Sequence, residues 1–303
     1  MFTYINDETE IINVALKCDI RTDKHFKSLP KNKYFDLISP YGYGGTLIQT
    51  TNEADIAAYF KALQNYCIKK NIVCEFVRFH PLINNYKLLQ DEFEIIQLGE
   101  TVALDLADEE TIWSNLQPRM KSKIRTTMKS GVEIYFSNDS ALKEEFINLY
   151  TKTMKKNDAS DYYFFKDEFY DSLFVDLKYN VMFCYAKYEG KIISIAAILL
   201  GREILHYHLS GTDQKYHKLA PNNAILLNTA LWGARNRYKY LHLGGGVGSQ
   251  ADDLLKYKKK FNQNSSLRFS IGKKIYNQEK YDELVKLRGK EVAGSSFFPQ
   301  YRA

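Results

Sequence analysis

The densest group of residues able to do chemistry lies between His242 and Phe261. The run His242, Leu243, Gly244, Gly245, Gly246 follows an apolar strand pattern. After it, Asp252 and Asp253 open a helical pattern carrying Lys256, Tyr257, Lys258, Lys259, Lys260 and Phe261. Glycines let a backbone approach a ligand closely, and acids in a first turn suit the positive end of a helix dipole. The combination would place backbone groups and a cationic cluster around one cleft. A loop shaped by packing alone is the blander reading of the glycine run.

Four further constellations stand out. His206 and His208 alternate by two in the run His206 to Asp213, so a regular strand turns both to one face. They could hold a metal, but no third ligand stands at a telling spacing, and a hydrogen-bonded or lining pair is the simpler reading. The helix start at Pro221, Asn222 and Asn223 offers unpaired N–H groups to an anion. Arg119, Lys121, Lys123, Arg125 and Lys129 place five cations in eleven residues, an anion-binding face or a solvated one. Ser39, Pro40, Tyr41, Gly42, Tyr43, Gly44 and Gly45 form a loop with two tyrosines able to stack or hydrogen-bond, or an ordinary turn.

Elements must position these residues. Apolar spacing at Ile56, Phe60, Leu63 and Cys67 predicts a helix after Asn52. Ile72–Phe79 and Ile95–Leu106 read as strands, Asp108 opens a helix, Pro118 interrupts it, and Arg119–Lys129 is a second helix stopped by Gly131. A strand Val132–Phe136 and a helix near Asp139–Met154 follow. Strands Val181–Tyr188, Ile192–Leu200 and Ile204–Ser210 come next, the first two joined through Glu189 and Gly190 as a hairpin. A helix Pro221–Arg237, a strand Tyr240–Leu243, a helix Ala251–Phe261 and a strand Leu267–Ile271 close the pattern. That order is a mixed α+β sheet.

The bulk numbers narrow the class. A chain of 303 residues suggests about two domains. Its 42 basic and 36 acidic side chains leave a net charge of +6, mild for a dedicated nucleic-acid binder and compatible with an anionic ligand. The longest apolar stretch, Ile192–Leu200, is nine residues, against about 20 for a membrane span. The N-terminus shows no secretory pattern, and four scattered cysteines read as reduced, so the expected location is cytoplasmic.

Together these segments resemble the FemABX-like branch of the GNAT acyltransferase superfamily over nearly the whole chain. The resemblance rests on four segments in order: Ser39 to Gly45, Arg119 to Gly131, Tyr207 to Asp213, and Leu243 to Phe261. It implies two GNAT-like domains, expected at 1–117 and 118–303, each a mixed, mostly antiparallel sheet flanked by helices. The second would carry the acyl-transfer site. The resemblance further implies an amine acceptor on a cell-envelope glycan or peptidoglycan precursor, anionic or a nucleotide sugar. The co-substrate would be acyl-CoA or, in the alternative, aminoacyl-tRNA, with no bound cofactor and no metal. The chain departs from the family where Tyr257 stands for a usual Phe, where His242 or Leu243 stands for an acid, and where Gln214–Pro221 has no glycine for a pyrophosphate loop.

By its match to a family lysine, Lys258 is expected to stabilise an oxyanion or a donor phosphate, with Asp213, His208 and His242 as candidate bases. Tyr41, Tyr43, Arg119, Lys123, Arg125, Asn222, Asn223, His242, Gly244, Gly245, Gly246, Tyr257 and Phe261 are the expected binding residues. No Ser/His/Asp or Cys/His spacing supports a covalent intermediate, which points to direct attack. A catalytically silent ligand-binding module is the reading from another class.

Overall fold

Strands open the chain: β1 (Phe2–Ile5), β2 (Glu10–Asn13), β3 (Leu16–Asp19), β4 (Phe35–Ile38) and β5 (Leu47–Gln49). Helix α1 (Glu53–Lys69), β6 (Ile72–Arg78) and β7 (Glu94–Asp105) follow, then α2 (Glu109–Asn115), α3 (Pro118–Lys129), β8 (Glu133–Ser137) and α4 (Lys143–Lys156). Next come α5 (Asp167–Asp171), which continues as a π turn, β9 (Val181–Tyr188), β10 (Lys191–Leu200), β11 (Ile204–Thr212) and α6 (Pro221–Arg235). The last elements are β12 (Tyr240–Gly245), α7 (Asp253–Lys259), β13 (Leu267–Ile275) and α8 (Gln278–Arg288). The computed structural model describes residues 1–303.

Side-chain caps set several of these ends. Asn52 Oδ1 accepts from the Ala54 and Asp55 amides at 3.0 and 3.4 Å, and Asp252 Oδ1 accepts from the Leu255 amide at 2.8 Å. Each satisfies N–H groups the helix itself leaves orphaned. Pro118 does not merely interrupt: it is the first residue of α3, where a missing N–H costs nothing.

The chain divides into two units, Met1–Leu98 with Arg268–Ala303, and Gly99–Leu267. This differs from a boundary at 117/118. The pause before Pro118 is a helix break, whereas the unit boundary falls within β7. The last 36 residues rejoin the first unit because β13 pairs antiparallel with β6, from Ile271 opposite Arg78 to Ile275 opposite Cys74.

In the first unit the strand order is β3, β4, β6, β13, with β4 and β6 parallel and the other pairs antiparallel. Tyr59, Phe60, Leu63 and Cys67 of α1 pack with Leu37, Ile72 and Val77. Tyr281 and Leu284 of α8 pack with Val73 and Cys74 in a separate cluster. A small antiparallel sheet of β1, β2 and β5 completes it.

In the second unit the order is β7, β12, β11, β10, β9, β8. All pairs are antiparallel except β11 with β12. One core joins α2, α3 and α6 to the sheet through Ile112, Met120, Ile124, Ile225 and Leu226. Another joins α4 and α5 to it through Phe146, Leu149, Tyr170, Ile195 and Ala197. Helices thus flank a mixed sheet, as expected. Glu189 (φ 50) and Gly190 (φ 76) make the β9–β10 turn, both central residues left-handed as such a hairpin requires.

Candidate active site

The parallel pair β11 and β12 parts early. Their register runs only from Ile204 opposite Tyr240 to His206 opposite His242, although β11 continues to Thr212 and β12 to Gly245. Beyond the last pair β11 keeps β10 as its partner and β12 keeps β7. Both strands therefore bring backbone to the parting, and α6 and α7 start beside their ends.

β11 carries a bulge. Leu209 faces Ala197 and Tyr207 faces Ile198, so His208 is the extra residue. Period-two alternation would set Tyr207 and Ser210 on opposite faces; the bulge brings them to the same one. The Tyr207 hydroxyl lies 2.5 Å from Ser210 Oγ and 3.0 Å from Asn222 Oδ1. Asn222 Nδ2 donates to the Tyr257 hydroxyl at 3.3 Å, which donates to Asn223 Oδ1 at 2.8 Å. Burial raises the pKa of both phenols, so they stay protonated donors. Tyr207 and Ser210 lie outside the residues expected from sequence, because the bulge that unites them leaves no mark there.

Lys258 is buried, 9% exposed, and its Nζ donates to the Gly245 carbonyl at 2.7 Å. Burial pulls its pKa down to about 8, with Asp252 pulling the other way. Asp252 also accepts from the Val247 amide at 2.9 Å, so one carboxylate caps α7 and closes the glycine turn. Backbone contacts held it below the usual carboxylate range, Leu255 foremost. Gly244 is left-handed at φ +75, and a Cβ on Gly246 would meet Gln250 O at 2.1 Å, so neither position accepts a side chain without rearrangement. The glycine run is partly strand, since β12 extends through Gly245.

The inward face of α7 follows from where the helix starts. Leu254 is 41% exposed and Leu255 is the buried leucine. The helix begins at Asp253 rather than Ala251, so Leu255 and Lys258 form the inward pair, one turn apart. Phe261 is fully buried and edge-on to Tyr257, a core residue supporting that ring. Lys259 is half-buried and paired with Glu100. Lys256 pairs with Asp253 at 2.9 Å, and Lys260 is exposed.

His242 is 2% exposed at the root of the parting, its ring 5.5 Å from His206. His208 stands 6.4 Å from the Phe169 ring, and its pKa is lowered to about 4 by burial and by His206. No group of three His, Cys, Asp or Glu side chains is placed to hold a metal. Asp213 Oδ1 accepts from the Lys215 amide at 3.0 Å and caps the 3-10 turn Gln214–Leu219. On α3, Met120, Ile124 and Thr127 face inward and leave Arg119, Lys123 and Arg125 exposed. No acid pairs with Arg119 or Lys123, while Arg125 lies over the Trp113 ring at 5.5 Å. Thr127 Oγ1 donates to Leu219 O at 2.7 Å, tying α3 to the turn before α6.

Tyr41 and Tyr43 belong to the first unit. Tyr41 is 60% exposed. The Tyr43 ring lies 5.2 Å from His80 and 5.7 Å from Phe269, and burial raises its pKa.

A family model described as an acetyltransferase (GNAT) domain matches residues 115–259. No curated protein matches the sequence. Among solved structures, that of FemX is similar with a TM-score of 0.65 at 12% identity, covering 84% of each chain. The C-terminal domain of a putative lysylphosphatidylglycerol synthetase from Agrobacterium fabrum gives 0.55 at 10% identity, over 89% of this chain and 83% of that one. L-PGS from Bacillus licheniformis gives 0.54 at 14%, over 81% and 79%. Identities this low speak to fold; the domain match speaks to class. Residues 115–259 thus form a GNAT-type acyltransferase domain. Over most of its length the fold is similar to that of FemX. No helix is long and apolar enough to cross a membrane.

Proposed function

We propose that this chain transfers an acyl group from acyl-CoA to an amine of a cell-envelope glycan or peptidoglycan precursor, by direct attack where β11 and β12 part. The observation that carries the reading is Lys258, a buried cation whose Nζ sits at the glycine end of β12. As the amine nitrogen bonds to the carbonyl carbon, charge develops on the carbonyl oxygen. Collapse expels the thiolate, and the amine proton leaves through solvent or the departing group. Gly245 takes one Lys258 N–H, and the others remain to meet the oxyanion or a donor phosphate. In a dry site such a donor acts far more strongly than in water.

One geometric fact favours a second donor, aminoacyl-tRNA. Gln214–Pro221 has no glycine, Pro221 has no N–H, and the Asn223 amide is spent on Ala220 O at 3.0 Å. Few amides are left to cradle a pyrophosphate there, whereas exposed Arg119, Lys123 and Arg125 suit a polyanion. The FemX fold and a neighbour named for lysylphosphatidylglycerol synthesis support this variant of the same chemistry.

The test offers the purified chain either short acyl-CoAs or charged tRNA. Each donor is paired with nucleotide-linked amino sugars and with peptidoglycan precursor peptides, and products are read by mass spectrometry. Mass gain with one donor class identifies it. No gain on any acceptor with either donor overturns the proposal.

A further inference from the structure

Two phenols on different elements grip the two ends of one amide. Asn222 Oδ1 can only accept, so the Tyr207 hydroxyl donates to it at 3.0 Å, sharing its proton with Ser210 Oγ at 2.5 Å. Asn222 Nδ2 can only donate, so Tyr257 accepts there and passes its proton to Asn223 Oδ1. Donor and acceptor are thereby assigned at every link, from β11 through the start of α6 to α7. The Asn222 amide cannot turn without breaking both links. It neither gains nor loses a proton near neutral pH, so this chain fixes positions and does not conduct protons.

We propose that Tyr207 is a positioning residue for acyl transfer, acting through Asn222 and Tyr257 on the turn of α7 that carries Lys258. The inference rests on the reading of Lys258 given above. Helix α7 has seven residues, too short to hold its own orientation. Asp252 fixes its start and the Lys259–Glu100 pair holds one flank. Tyr257, one residue before Lys258, holds another through the chain of bonds that begins at β11. The bulge at His208 aims Tyr207 at that chain, linking the parted strand to the lysine across the gap.

The test compares Tyr207→Phe, Tyr257→Phe, the double variant and Lys258→Met in the full chain, reading melting temperature, kcat, acceptor KM and the alkaline limb of the pH profile. Each Phe variant loses one oxygen and keeps its ring. Tyr207→Phe should lower kcat by roughly 10-fold, within the range that small misplacements cost, with acceptor KM unchanged and the alkaline limb displaced. The double variant should be no worse than the poorer single one, because both cut the same tie. A melting temperature that drops while kcat and the alkaline limb stay at wild-type values makes the chain purely structural and overturns the inference. So do fully multiplied losses in the double variant. If Tyr207→Phe does not fold, Tyr257→Phe reads the same tie from its other end. Should Lys258→Met turn over like wild type, the reading of Lys258 fails and this inference with it. Should Lys258→Met be crippled while both Phe variants match wild type, only the inference fails.

Discussion

Lys258 Nζ and the Gly245 carbonyl oxygen stand 2.7 Å apart across 13 residues of sequence. That bond folds α7 back over the end of β12 and fixes an ammonium where the strands part. Replacing Lys258 by Met removes the cation while keeping a long apolar side chain. Turnover should fall about 10²–10³-fold, the effect of losing one oxyanion donor. Lys260→Met, on an exposed side chain, should change turnover little. Equal losses in the two variants, measured as kcat/KM, would deny Lys258 a special role.

The same lysine sets a pH dependence. With its pKa brought down to about 8 by burial, the ammonium that donates is progressively lost as pH rises through that value. Turnover limited by Lys258 should therefore fall on the alkaline side, beginning near pH 8. Lys258→Arg, whose guanidinium stays charged above pH 12, should remove that limb whatever its overall rate. Stability has the opposite sign: the unfolded chain keeps the proton to higher pH, so this group makes folding more favourable as pH climbs from about 8 toward 10.5. A limb unchanged by Lys258→Arg would assign it to another group.

His206 and His208 give a separate acid-side effect. Burial lowers both, His208 to about 4. In that window the unfolded chain binds protons the folded one refuses, so stability present above pH 6.5 is lost as pH falls toward 4. His208→Gln should flatten part of the decline in melting temperature over that range. An identical decline in the variant would show that His208 is not its source.

How much of this was legible follows from what local pattern can encode. Strands β9 to β11, the Glu189–Gly190 turn and the caps at Asn52, Asp108 and Asp252 are local, and spacing alone located them. The return of β13 to β6 is not local: its partner lies nearly 200 residues earlier, and nothing near Ile271 names Arg78. The short strands β1 to β5 have too few residues for a period to emerge. In the site, Tyr257 of α7 meets Asn222 and Asn223 because a helix face and a helix start carry them, and Lys258 is the next residue on α7. Tyr207 and Ser210 join only through the bulge. Asp213 had a sequence reading as a base, but an Asp just before a turn also caps it, and the structure uses it so.

The exposed cations of α3 invite a binding measurement. Replacing Arg119 and Lys123 together with Gln leaves the buried Met120, Ile124 and Thr127 face intact, so the fold should survive. Affinity for the anionic substrate should weaken, and its dependence on salt should become shallower, because fewer charges are left to be screened. Unchanged affinity and salt slope would leave α3 as a solvated face.

The last prediction concerns the first unit, where Glu75 is 1% exposed. Its carboxyl accepts from the Tyr276 hydroxyl at 2.5 Å and from Asn13 Nδ2 at 3.2 Å. Lys274, the nearest helpful cation, is itself paired with Glu92 at 2.5 Å. Burial raises the Glu75 pKa, outweighing the Tyr276 and Asn13 hydrogen bonds that favour the ionised form. The folded chain then holds a proton that the unfolded chain gives up above about pH 4.5. Stability from this group is complete at low pH and drains away as pH rises through the folded value. Glu75→Gln keeps the shape and an acceptor oxygen, and its new amide can donate to the Tyr276 oxygen. The variant should show a melting temperature less sensitive to pH above about 4.5 than wild type. Wild-type and variant curves that stay parallel across that range would mean Glu75 does not change protonation on unfolding, and that its two hydrogen bonds hold the carboxylate charged in the core.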